Sequence, residues 1–296
     1  MRGRSRRRAL LRWLVVLALV CVTIVAGAML LERQMIYFPT RYPDGLWALE
    51  DVTRHSGCTL EDCFFGTEDG FRLHAWWCRP AHAEGVTADM VLLWFHGNAG
   101  NLSHRADLML RLAKSPAQVF IVDYRGYGRS EGRPSENGLY LDAEAAWRYL
   151  TNERKVAPGR IVLLGDSLGA AVAVDLATRV EAAGLIVQSG FTSVPDMAAA
   201  HFPFVPRALI RTKMDSLGKI QKVQGPKLFI HSPQDEVVPY ELGRRLYEAA
   251  GEPKRFLDIP GASHNDMDVV GGHVYFDAFA RFLAQCRQRA EGRIRG

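Results

Sequence analysis

The chain has 296 residues, enough for one α/β domain of about 260 residues with an appendage. Its apolar share of 48% and charged share of 23% are those of an ordinary globular protein. The net charge of +5 is local: Arg2, Arg4, Arg6, Arg7, Arg8 and Arg12 carry it, leaving 31 basic residues against 32 acidic ones, so the basic balance does not speak for a nucleic-acid face on the folded part, and no basic stripe with interleaved aromatics occurs there.

Trp13 to Leu31 is an uncharged run in which only Thr23 is polar. Crossing a hydrocarbon layer takes about 20 residues, so the run suffices. Arginines precede it and Glu32-Arg33 close it. The expectation is a basic cytoplasmic tail over 1–12 and one transmembrane helix over 13–31, with the lipid bilayer as its partner. The large domain is then expected on the non-cytoplasmic side, in a periplasm, lumen or extracellular space. Ala26-Gly27-Ala28 offers the rival reading of a signal-peptidase site, although the apolar run continues through Met29-Leu30-Leu31.

Residues 32–59 read as a linker and the start of the folded domain, 60–288 as the domain itself, and 289–296 as a basic tail. Tyr37, Phe38, Pro39, Tyr42, Pro43 and Trp47 make the linker aromatic and proline-rich. Leu60–Gly66 and Phe71–Cys78 form an expected hairpin around Glu68-Asp69-Gly70, and His82-Ala83-Glu84-Gly85 an expected surface turn. The five cysteines, Cys21, Cys58, Cys63, Cys78 and Cys286, show neither a CxxC pair nor zinc-like spacing with histidine. Cys58 and Cys63 read either as a disulfide of an exported domain or as two isolated thiols.

Met90-Val91-Leu92-Leu93-Trp94-Phe95 is wholly apolar, as a strand in the covered interior of a parallel sheet must be. It delivers His96-Gly97-Asn98-Ala99-Gly100-Asn101, where two glycines and two asparagines predict unusual backbone angles. Such a loop can point the backbone N–H of Asn98 or of Ala99 at an oxyanion, with His96 a structural residue beneath it. A further strand, Ala117–Asp123, runs into Tyr124-Arg125-Gly126-Tyr127-Gly128. That glycine-rich segment lacks the Walker lysine and the dinucleotide spacing. Asp123 and Arg125 are expected to pair with each other. The next helix, over 135–150, buries Leu139, Ala143, Ala146, Trp147 and Leu150 and turns Asp142 and Glu144 to solvent.

Ile161-Val162-Leu163-Leu164 then reads as a short buried strand, and Gly165-Asp166-Ser167-Leu168-Gly169 places a serine between glycines at the spacing of a nucleophile elbow. The small residues from Ala170 to Ala177 continue as a tightly packed helix, whose first N–H, from Leu168, can face a developing oxyanion. A strand and turn over 184–190 precede an apolar, proline-broken stretch over 191–215, which reads as a small flap over a cleft or as a structural helix pair. Gly225–His231 is a late strand that leads to Asp235 and Glu236, and Lys254–Ile259 leads to a loop with one histidine, His264. A helix near 272–288 closes the chain.

The order serine, acid, histidine, each after its own strand, is that of the α/β-hydrolases. The fold expected is α/β, an α/β-hydrolase fold with a mostly parallel central sheet and helices on both faces, preceded by the transmembrane helix. From about residue 34 to 284 the chain resembles the Bem46-like, ABHD-type membrane-associated serine hydrolases. The resemblance lies in His96–Asn101, Asp123–Gly128, the Ser167 elbow, Ser232-Pro233-Gln234-Asp235 and Gly261–Asp266. It implies that Ser167 is the nucleophile, His264 the base and Asp235, rather than Glu236, its orienter. It also implies that the backbone N–H groups of Asn98 and Leu168 form the oxyanion hole. The chain departs from the family pattern at Asp166 and at Ser263, which lengthens the last loop by one residue. The function so implied is a membrane-anchored serine hydrolase. Its substrate is an apolar acyl ester or thioester, cleaved through an acyl-enzyme without metal or cofactor. A serine peptidase or amidase, and a non-catalytic interaction protein on a hydrolase scaffold, are the alternatives.

Overall fold

The computed structural model describes residues 11–17, 19–20, 23, 27, 32–54, 56–81, 89–114 and 117–295. The chain divides into two compact units, Met1–Phe38 and Pro39–Gly296.

In the second unit eight strands form one sheet: β1 (Cys58–Gly66), β2 (Arg72–Pro80), β3 (Met90–Phe95), β4 (Ala117–Asp123), β5 (Ile161–Asp166), β6 (Gly184–Gln188), β7 (Lys227–His231) and β8 (Lys254–Asp258). Their order across the sheet is β8-β7-β6-β5-β3-β4-β2-β1. The β1–β2 and β2–β4 pairs are antiparallel. The other five are parallel. The expected hairpin is present and longer at both ends, since Cys58 pairs with Pro80 across it. The uninterrupted apolar strings at β3 and β5 are explained by burial on both sheet faces. On one face Leu92, Trp94, Ile121, Val162, Leu164, Leu228 and Ile230 join a core with Met109, Leu112, Phe279, Phe282 and Leu283.

The helices that bear on the site are α1 (Glu136–Arg148), α2 (Leu168–Ala177), α3 (Val194–His201), α4 (Tyr240–Ala249) and α5 (Met267–Arg295), the last broken at Gly272. Ser135 caps α1 by accepting the Gly138 N–H, so the cap forms without the glutamate of a full capping box. The 191–215 segment holds one eight-residue helix, α3, followed by a short helical turn at Arg207–Leu209. It leaves Phe202, Phe204 and Leu209 exposed.

Four expectations are corrected. The first is the transmembrane helix over 13–31, together with the lipid-bilayer partner and the non-cytoplasmic placement that depended on it. Among the described residues no helix is long and apolar enough to cross a membrane. Much of the run, residues 18, 21–22, 24–26 and 28–31, lies outside the described residues, as do residues 1–10, the turn at 82–85 and Cys21. The second is a Cys58–Cys63 bridge. Both thiols are free and buried. Both sit on β1, where five residues of extended chain separate them by about 16 Å, far beyond the span of a disulfide. The third is Asp142, which is fully buried rather than facing solvent. The fourth is the Asp123–Arg125 pair. Arg125 instead bonds Asp142 through Nε at 2.8 Å and Asp69 through Nη1 at 2.7 Å, and Asp123 turns the other way, toward histidines. Residues two apart on a strand would share a face, but the strand ends at Asp123 and Arg125 lies in the turn beyond it, so the two side chains diverge.

Candidate active site

The strand order reverses at β3, because β4 lies on one side of it and β5 on the other. Such a switch point opens a crevice beyond the carboxyl ends of the strands. The register pairs Phe95 with Gly165, so the loop after β3 and the turn after β5 lie side by side. Ser167 occupies that turn at φ 52°, ψ −112°. This positive φ is rare for a residue with a side chain and marks a strained bend that presents the hydroxyl. The flanking glycines make the bend possible. A Cβ on Gly169 would lie 1.9 Å from the Phe95 carbonyl oxygen, and one on Gly165 would lie 2.3 Å from that of Gly169. The Ser167 N–H donates to the Gln188 carbonyl at 2.9 Å, tying the bend to the end of β6.

Asp235 follows β7 and His264 follows β8. His264 Nδ1 lies 2.8 Å from Asp235 Oδ2 and 2.9 Å from Oδ1. The same carboxylate accepts the Val237 and Val238 N–H groups at 2.9 and 2.8 Å, and the Ser189 hydroxyl at 3.0 Å. Burial disfavours its charge, yet these donors and the two histidines His231 and His264 hold its pKa far below the usual carboxylate range. Burial also opposes a charge on His264. Asp235 outweighs it, helped by Asp166 and Glu236, and the His264 pKa rises above its ordinary 6.5. With Nδ1–H turned to the carboxylate, Nε2 is the nitrogen left to take a proton. No hydrogen bond closes between Ser167 and His264. Contacts of this type are commonly long until a substrate is in place.

The loop 96–101 sits against the bend: a Cβ on Gly97 would stand 3.8 Å from Ser167 Cβ. The Tyr124 hydroxyl donates to the His96 carbonyl and the Tyr127 hydroxyl to the Asn98 carbonyl, each at 2.7 Å. His96 is buried, its Nδ1 2.7 Å from the Gly97 carbonyl, and burial lowers its pKa. It braces the loop rather than facing the crevice, as the sequence suggested. Leu168 opens α2, and the first N–H groups of a helix have no partner within it.

Other carboxylates near the ends of these strands, Asp266, Asp268 and Asp196, are engaged elsewhere. Asp266 Oδ1 accepts the Ser263 N–H at 2.6 Å, Asp268 pairs with Arg111, and Asp196 pairs with Arg207. Glu236 accepts the His264 N–H at 3.0 Å and so holds the loop, not the ring. Ser189 and His231 were missed. Asp235 is remote in the chain from Ser189 and only four residues beyond His231, and no local pattern marks a serine or histidine at a strand end. Among the described residues no group of three or more His, Cys, Asp or Glu is placed to hold a metal ion.

A family model described as "Serine aminopeptidase, S33" matches residues 87–215. An uncharacterized protein of Mycobacterium tuberculosis is 39% identical over 271 residues, covering 91% of this chain and 93% of its own. The Arabidopsis thaliana alpha/beta hydrolase domain-containing protein WAV2 is 33% identical over 285 residues, 88% of this chain and 91% of its own. Among solved structures the Pyrococcus furiosus esterase Pf2001 superposes with a TM-score of 0.69 at 20% identity, over 85% of this chain and 98% of its own, a likeness of fold. With relatives above 30% identity over about nine-tenths of the chain, and the family model and strand order in agreement, the chain belongs to the α/β-hydrolase superfamily and is a serine hydrolase.

Proposed function

We propose that this enzyme cleaves carboxylic esters, thioesters included, of apolar acyl groups through an acyl-enzyme. Ser167 Oγ attacks the carbonyl carbon while His264 Nε2 takes its proton. The carbonyl π electrons move onto oxygen, where the N–H groups of Asn98 and Leu168 receive them. The electrons return, the bond to the leaving group breaks, and the imidazolium protonates that group as it departs. Water then repeats the sequence against the acyl-enzyme and frees Ser167. Asp235 holds the tautomer and the charge of His264 throughout.

The observations that carry this reading are the pair of His264 with buried Asp235 at 2.8 Å and a serine held at positive φ after β5. The preference for apolar acyl groups is supported by the flap. His201 Nε2 bonds the Val237 carbonyl at 2.8 Å, which ties α3 to the loop that carries Asp235. Phe202, Phe204, Leu209 and Val237 are exposed on these two segments. Each CH₂ removed from water is worth about 0.8 kcal/mol, so kcat/KM should rise up to about fourfold per methylene until the surface is filled. A panel of p-nitrophenyl esters from acetate to palmitate, with a thioester included, reads this directly. A profile falling from acetate onward would remove the acyl preference.

The match to a serine aminopeptidase model favours a second reading, amide cleavage at the same site. Aminoacyl p-nitroanilides added to the panel would reveal it. Fluorophosphonate labelling at Ser167 tests both readings together, because a folded protein that stays unlabelled and turns over no substrate would exclude each.

A further inference from the structure

Beneath the loop that carries Asn98 lies a chain of buried charges that the catalytic steps do not use. Asp123, at the end of β4, is fully buried. Its Oδ1 accepts the Leu102 N–H at 2.8 Å, just past the loop, and lies 3.3 Å from His96 Nε2. Its Oδ2 lies 3.7 Å from Nδ1 of His74, a residue of β2 that is also fully buried. His74 Nε2 stands 2.8 Å from Asp62 Oδ1 on β1, and Asp62 Oδ2 accepts Arg129 Nη1 at 2.9 Å. A histidine without access to water thus stands between two carboxylates on two different strands.

We propose that His74 is a positioning residue of this hydrolase. Clasped between Asp62 and Asp123, it holds the Asp123 carboxylate against the Leu102 N–H and the His96 ring. It thereby sets the Gly97–Asn98 backbone opposite Ser167. The inference rests on the reading of residues 96–101 as the oxyanion loop. Burial works against a charge on His74, but Asp123 and Asp62 overcome it and its pKa lies above the ordinary imidazole value. Burial likewise works against the Asp123 charge, and His74 and His96 overcome it. Of those two, His96 is drawn toward its neutral form. The charges facing the pair are Asp62 from β1, Arg129 through Asp62, His96 from the loop and Arg105, whose charge also acts on Asp123. When His74 loses its proton, the buried Asp123 carboxylate keeps too little positive charge beside it. The buried arrangement that anchors the loop is then less stable, because an uncompensated carboxylate is costly away from water.

The test compares wild type, His74→Gln and Asp62→Asn, each checked for a retained fold by circular dichroism. Wild type should show an alkaline fall in kcat, apart from the acid limb set by His264. His74→Gln, neutral at every pH, should lack that fall. It should run about 10- to 100-fold below wild type near neutrality with KM nearly unchanged, as expected for a displaced donor. Asp62→Asn removes one of the carboxylates that hold the proton, so its alkaline fall should begin at lower pH. Amide hydrogen exchange at Leu102 should be about tenfold faster in His74→Gln. Wild-type kcat across the pH range together with unchanged exchange at Leu102 would overturn the proposal. If wild type turned over no ester, the functional reading would fall, and exchange at Leu102 would still decide whether His74 holds the loop.

Discussion

Asp235 accepts from His264, from Ser189 and from two backbone N–H groups. That concentration of donors keeps it ionised and keeps the His264 ring in one orientation. The expected losses on substitution follow from these roles. Ser167→Ala and His264→Ala should each abolish turnover while leaving a folded protein, and the double variant should lose little more, because the groups act as a unit. Asp235→Asn should cost about 10⁴ in kcat, as in a serine hydrolase with the same constellation. Active-site titration of each folded variant checks this series. The pH dependence has a definite sign. His264 acts as a base only when neutral, and its pKa lies above 6.5, so kcat/KM should rise with pH through a midpoint above 6.5. Asp235→Asn removes the largest support of the imidazolium, so its residual activity should rise at a lower pH than wild type. A midpoint unmoved by that substitution would show that Asp235 does not control the base.

At the scale of the element, the strand–bend–helix unit β5–α2 depends on backbone contacts that leave no room for a Cβ. Gly169→Ala would drive a methyl against the Phe95 carbonyl, on the strand that leads into residues 96–101. Overpacking of this kind costs about 1–3 kcal/mol, equivalent to a melting temperature lower by several degrees. Because the strain falls between β3 and α2, fluorophosphonate labelling of Ser167 should slow by more than the lost stability explains. Thermal unfolding and labelling rate, measured on the same sample, separate the two effects. The hairpin β1–β2 shows how element geometry overrides spacing. Cys58 and Cys63 are close in sequence, yet extended chain keeps them apart.

Across the whole molecule, Arg125 joins three distant pieces of chain. It bonds Asp142 on α1 and Asp69 in the turn of the β1–β2 hairpin, while itself lying just past β4. Burial pushes Asp142 up to about 6 against the pull of Arg125, while Arg125 holds Asp69 down at about 2. Removing one partner of a buried pair leaves the other charge uncompensated. Asp142→Ala should therefore cost about 3–5 kcal/mol in urea unfolding. Asp69→Ala should cost less, because Asp69 is exposed and water takes its place. Equal losses in the two variants would place the weight of the network elsewhere.

The parallel interior, the bend at Ser167 and the order serine–acid–histidine were legible in the chain because each is encoded locally. Apolar runs such as Met90–Phe95 can only be covered strands, and a serine between close glycines specifies one bend. The direction of long-range partners was not legible. Asp123 and Arg125 are two residues apart and turn to opposite sides. Asp142 looked solvent-facing because its burial depends on an arginine 17 positions earlier. Ser189 became visible only when β6 and β7 were set beside each other, since the group it holds, Asp235, comes from the loop after β7, where His231 stands four residues before it. The apolar run after Trp13 misled for a related reason. Hydropathy reports what a segment could cross if it formed one long helix, and among the described residues no such helix exists. Sequence by itself determined the periodicities and the strained turn, which are properties of neighbours along the chain. Only the tertiary structure decided which charges meet, because buried pairing is a property of neighbours in space, set by strand order and register.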